Sequence, residues 1–148
     1  MAVPPWVTQS VAPVYNSAMG ESSDIISRLL LEAGLDDAVE RVGDGMFRLK
    51  WGSATIICVA SGDGVVAVAP IFEKPPEKNQ LAFFRRLLEL NAEIGGTAAF
   101  SVHKNGTVAL QVGRTLQGLD AHELKIMLAT VGKFADDYDD RLRDEFYK

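Results

Sequence analysis

Two histidines, one cysteine and a short acidic run are the side chains of this 148-residue chain that could be asked to do chemistry. A nucleophilic site needs a Ser or Cys beside a His, with a third group to orient the ring. His103 falls at the end of a strand-like run next to a tight turn, and His122 falls in the first turn of a helical run. Both read as exposed or capping side chains. Cys58 lies in an apolar run, where a cysteine behaves as a small buried hydrophobe. Asp136, Asp137, Asp139 and Asp140 suggest Ca²⁺ at first sight. On a helix, however, their carboxylates spread over the solvent side instead of converging on one ion. The glycines at 43, 45, 62 and 64 match neither the P-loop pattern nor a G-x-G-x-x-G that opens a helix, so they read as turn glycines. The expectation is no catalytic residue, no metal and no cofactor.

Asn91 is the one polar residue out of place. It lands in the middle of the apolar half of a helix that runs from about 79 to 94. An amide there reads as a buried tie from the helix to a strand or loop backbone.

The elements around these residues follow from periodicity. A first helix is predicted over 23–33, capped by Ser22 or Ser23 and ended by Gly34. Runs at 38–42, 46–51, 54–60 and 65–72 are separated by short glycine-containing spacers, which predicts antiparallel hairpins. Met46, Arg48 and Lys50 alternate with Phe47, Leu49 and Trp51, the pattern of a strand with one wet face. The run 65–72 is apolar on both faces and reads as central. In the second helix, Leu81, Phe83, Phe84, Leu87, Leu88, Leu90 and Ile94 share one half of the wheel. Runs at 97–103 and 107–112 flank Asn105-Gly106, a strong hairpin signal. Asp120 and Glu123 form an aspartate capping box that opens the last helix. The predicted fold is therefore α+β, an antiparallel sheet with three helices in the order α, three or four strands, α, two strands, α.

Composition narrows the function. A length of 148 residues suits one domain, placed here at 21–148, which buries roughly 70% of its unfolded surface without staples. The 20 acidic and 15 basic residues leave a net charge of −5, which disfavours a nucleic-acid backbone. A lone cysteine makes no internal disulfide, and no signal-like or membrane-spanning run is present, so the expected setting is cytoplasmic, with no membrane contact. Residues 1–20 stand apart as a Pro-containing apolar tail with no charged side chain before Glu21. The tail reads either as a free leader or, through residues such as Trp6 and Tyr15, as a segment that docks onto its own domain or a neighbouring subunit.

The order of motifs in the second half adds a resemblance. Leu87-Leu88-Glu89-Leu90-Asn91-Ala92 leads to Phe100-Ser101-Val102, then Gly106-Thr107-Val108-Ala109-Leu110, Gly118-Leu119-Asp120, Glu123-Leu124, Ala135-Asp136 and Tyr138-Asp139. This succession resembles the YbjN family and the type III secretion chaperone-like fold, clearly over about 79–142. The resemblance implies helices on a twisted antiparallel sheet, a bacterial homodimer and binding of an extended segment of a partner protein, or regulation of that partner. It implies no catalytic residue. Phe83, Phe84, Leu87, Trp51 and Phe72 are the residues expected at partner or dimer contacts. A small-molecule sensor or an unrecognised enzyme is the alternative.

Overall fold

The computed structural model describes residues 19–148, and its first element, α1 (Met19–Glu32), begins inside the segment expected to be a tail. Ser22 and Ser23 are therefore not caps. Both lie within the helix and are buried, and the Ser22 hydroxyl donates to the backbone carbonyl of Gly62 across the chain. A serine before an apolar run signals a helix start only when no earlier turn can form, and here an earlier turn forms. The C-terminal end follows the sequence. Leu35 N–H bonds to Leu30 O at 2.9 Å and Gly34 N–H to Leu31 O at 3.0 Å, a Schellman stop around Gly34 at φ 73°.

A 3-10 turn (Asp36–Ala38) leads into strands β1 (Val39–Gly43), β2 (Met46–Trp51), β3 (Ala54–Ser61) and β4 (Gly64–Phe72). Helix α2 (Gln80–Ile94), strands β5 (Ala99–Val102) and β6 (Val108–Thr115), and helix α3 (Ala121–Phe146) complete the chain. The six strands form one antiparallel sheet in the order β1-β2-β3-β4-β6-β5. The fourth strand, left optional by the sequence, is a full member, and β4 is interior as its two apolar faces require. The hairpin around Asn105-Gly106 joins β5 to β6, with Asn105 Oδ1 accepting from Thr107 N–H at 3.0 Å.

The three described helices pack on one face of this sheet. Ile26, Leu29 and Leu30 of α1, Phe83, Leu87 and Leu90 of α2, and Leu124, Leu128 and Val131 of α3 join one core. Alternate strand residues meet them: Phe47 and Leu49, Ile56 and Cys58, Ala67 and Ala69, Leu110 and Val112. Cys58 is fully buried, which pushes its thiol up to about 12 and leaves it unreactive. Full burial of a side chain such as Phe83 contributes roughly 1.5–3 kcal/mol, and Phe83 also sits at the hub of a ring cluster. It meets Phe72, Phe146 and Tyr147 edge-on at centroid distances of 6.4, 5.2 and 5.8 Å. This cluster clamps α2 to the end of α3.

Asp120 and Glu123 form the expected capping box at the start of α3, with Glu123 N–H donating to Asp120 Oδ1 at 2.8 Å. Further along, α3 touches the β2–β3 hairpin through two residues. A Cβ on Gly132 would lie 2.4 Å from Trp51 Cγ, so the missing side chain is what lets the indole lie against the helix. One turn later Asp136 Oδ1 accepts from the Ser53 N–H at 3.1 Å and from the Ser53 hydroxyl. These hydrogen bonds hold the Asp136 carboxyl below the usual carboxylate range.

Candidate functional site

The pleat leaves a second set of strand residues pointing away from the helices. Ile57 and Val59 of β3, Val66 and Val68 of β4, and Ala109 of β6 form an apolar cluster of their own, with Met46 packed at its margin. Register explains why they sit together. Glu40, Arg48, Ile57, Val68, Gln111 and Ala99 are successive partners in one row across all six strands. Met46, Val59, Val66 and Gly113 form a neighbouring row. The first row is apolar in the middle and polar or small toward the edges, and the second runs from Met46 through two valines to Gly113.

The flanks carry the charge and the hydrogen-bonding groups. On the β1–β2 side Arg48 pairs with Glu40. On the β5–β6 side the Ser101 hydroxyl lies 3.0 Å from Gln111 Oε1 and 3.3 Å from His103 Nε2. Partial burial lowers the His103 pKa, opposed by its hydrogen bond with Gln111. Ser101 and His103 were not paired in the sequence reading. Their i, i+2 spacing on a strand, which places both on one face, was the signal available. The third member is an amide, which cannot stabilise an imidazolium as a carboxylate does. What the arrangement offers is a strip of aliphatic side chains between two polar borders, suited to an extended chain that buries alternate apolar residues.

Five apolar residues on this face are between 0% and 6% exposed, yet no described helix or strand lies over them. A bare sheet face would leave such residues in water.

The five residues expected at partner contacts do not make one surface. Phe83, Leu87 and Phe72 are buried in the helix-side core, at 0%, 4% and 8% exposure, because the inner half of α2 faces the sheet. Trp51 is partly covered by Gly132, and Phe84 is partly buried beside Phe83 at 5.7 Å. The exposed apolar residues of α2 are Leu81 and Leu88, at 84% and 69%. A half-wheel count merges the two stripes, and only the angle at which α2 meets the sheet separates them. Trp6 and Tyr15 lie outside the described residues.

Asn91 is the residue that the sequence placed best. Its Oδ1 accepts from Phe100 N–H at 2.6 Å and its Nδ2 donates to Phe100 O at 3.2 Å. β5 is an edge strand, so the outward N–H and C=O of Phe100 have no strand partner on that side. The Asn91 amide replaces one peptide unit there and blocks strand addition at that point. The acidic run separates into individual contacts: Asp136 with Ser53, and Asp139 with Arg143 at 2.7 Å. Among the described residues no group of three or more His, Cys, Asp or Glu could hold a metal ion. No described helix is long and apolar enough to cross a membrane.

A six-stranded antiparallel sheet with three helices on one face and a bordered apolar strip on the other defines a protein of the secretion-chaperone class of folds. Residues 21–147 match the family TY-Chap1, the T3SS (YopN, CesT) and YbjN peptide-binding chaperones, and the chain belongs to that family. No curated protein matches it in sequence. Among solved structures it is similar to the ExoU–SpcU complex from the type III secretion system of Pseudomonas aeruginosa, at 16% identity and TM-score 0.61, covering 82% of this chain and 97% of that one. The HopA1–SchA chaperone–effector complex is similar at 12% identity and TM-score 0.61, covering 81% and 97%. An uncharacterised protein from Methanothermobacter thermautotrophicus is similar at 13% identity and TM-score 0.59, covering 84% and 99%.

Replacing Asn91 by Ala strands both Phe100 backbone groups. A loss of about 1–3 kcal/mol is expected, read as a lower midpoint in urea unfolding followed by circular dichroism. An unchanged midpoint would mean that water replaces the amide without cost.

Proposed function

We propose that this chain is a non-catalytic chaperone-type module that holds an extended apolar segment of a partner protein across the face of its sheet opposite the three described helices. The observation that carries the reading is the strip formed by Ile57, Val59, Val66, Val68 and Ala109. It is continuous across three strands and bordered by Arg48 on one side and by Ser101, His103 and Gln111 on the other. An extended segment meets it with alternate side chains, and its polar ends find partners at the borders. Family membership and the chaperone–effector complexes of similar fold support the same reading. A cytoplasmic setting fits the free Cys58 thiol.

The test is site-specific photocrosslinking at native expression level. A photoreactive residue at Gln111 is expected to capture a defined second polypeptide. The same residue at Asp137, on the exposed side of α3, is expected to capture nothing. Capture from Asp137 alone would move the binding surface to the helices.

We also propose a homodimer through α2. Leu81 and Leu88 are two turns apart on one exposed stripe of α2. Leu88→Glu is expected to convert a dimer of 16.1 kDa chains into a monomer in sedimentation without lowering the melting temperature, because Leu88 is exposed in the chain itself. A wild-type chain that already sediments as a monomer at micromolar concentration would rule the dimer out.

A further inference from the structure

The buried strip needs a cover, and the described residues do not supply one. Val68 and Ala109 are fully buried, and Ile57, Val59 and Val66 nearly so, although the apolar residues of α1, α2 and α3 all belong to the other face. We propose that residues 1–18 of the same chain lie across this face and occupy the partner's site until a tighter segment displaces them. The proposal rests on the reading of that face as the binding surface and adds how it is regulated.

Three observations select this occupant. The first is position. The preceding segment ends at Met19, and one turn later Ser22 is bonded to Gly62, in the turn between β3 and β4. Those two strands carry four of the five buried residues, so the segment joins the domain at the end of the strip. The second is length. Eighteen residues span up to ~60 Å when extended, whereas a nine-residue strand such as β4 is only ~30 Å long. The third is chemistry. Residues 1–18 contain no charged side chain, and Trp6, Val7, Val11, Val14 and Tyr15 are spaced among Pro4, Pro5 and Pro13. Prolines keep a segment extended and cannot donate to a strand ladder, so such a segment is suited to lie on a face and not to add to an edge. Burying a Trp or Tyr offsets the ordering of several residues.

The chain has two tryptophans, Trp6 and Trp51. In full-length Trp51→Phe, with folding checked by circular dichroism, emission reports Trp6 alone. A docked segment gives blue-shifted emission and several-fold weaker acrylamide quenching than a free peptide of residues 1–18. A nitroxide on Gln111→Cys is expected to quench Trp6 strongly, and one on Asp137→Cys is not, since Cys58 is buried and takes no label. Water-like emission overturns the proposal, as does quenching from Asp137 alone. Shielding that disappears on dilution also overturns it, by assigning the cover to a second copy. Trp6→Ser in the otherwise unchanged chain should increase binding of the apolar dye ANS; no increase counts against masking. Photocrosslinking of a partner from Gln111 in a chain whose Trp6 is free would sink this proposal while leaving the partner-binding reading intact.

Discussion

The fold depends on an imbalance between strands that are apolar on both faces and helices that cover only one. β3 and β4 place Ile56, Cys58, Ala67 and Ala69 toward the helices and Ile57, Val59, Val66 and Val68 away from them. A sheet of this kind normally has both faces covered. Here α1, α2 and α3 all go to the same side, since the apolar side chains of each join the one core. The second face is then an apolar surface bounded by polar edges. The helix-side core supplies the stability that allows it, with the Phe83 ring cluster and the contacts of Trp51 on Gly132 and Ser53 on Asp136 fixing α2 and α3 in place.

Much of this was legible in the residues. The capping box at Asp120, the stop at Gly34, the Asn105-Gly106 hairpin and the interior place of β4 all rest on local rules, and local rules fix them. Asn91 was legible because an amide in an apolar stripe requires a backbone partner nearby, and the edge strand supplied it. The parts that were not legible depend on packing. Ser22 and Ser23 resemble caps, yet they are buried within α1 because Gly62 accepts the Ser22 hydroxyl from 40 residues away. Phe83 and Leu87 share a half-wheel with Leu81 and Leu88, and only the docked angle of α2 shows which pair faces out. The strip itself needed the register: Ile57 meets Arg48 in the β2–β3 hairpin, and Val68 meets Gln111 only through the pairing of β4 with β6 across an intervening helix and strand.

Similarity of fold at 12–16% identity to the ExoU–SpcU and HopA1–SchA complexes and to a Methanothermobacter thermautotrophicus protein shows that this architecture outlasts its sequences. The two borders differ in chemistry, with Arg48 and Glu40 at one side and Ser101, Gln111 and His103 at the other.

Relaxation of methyl resonances by a soluble gadolinium chelate, measured on the full chain, tests most directly whether the face opposite the three described helices carries a bound segment. The methyls of Ile57, Val59, Val66 and Val68 are expected to relax as slowly as those of Leu110 and Leu128 in the helix-side core. Relaxation as fast as that of the exposed Leu81 and Leu88 would show a bare sheet face and contradict a segment bound there.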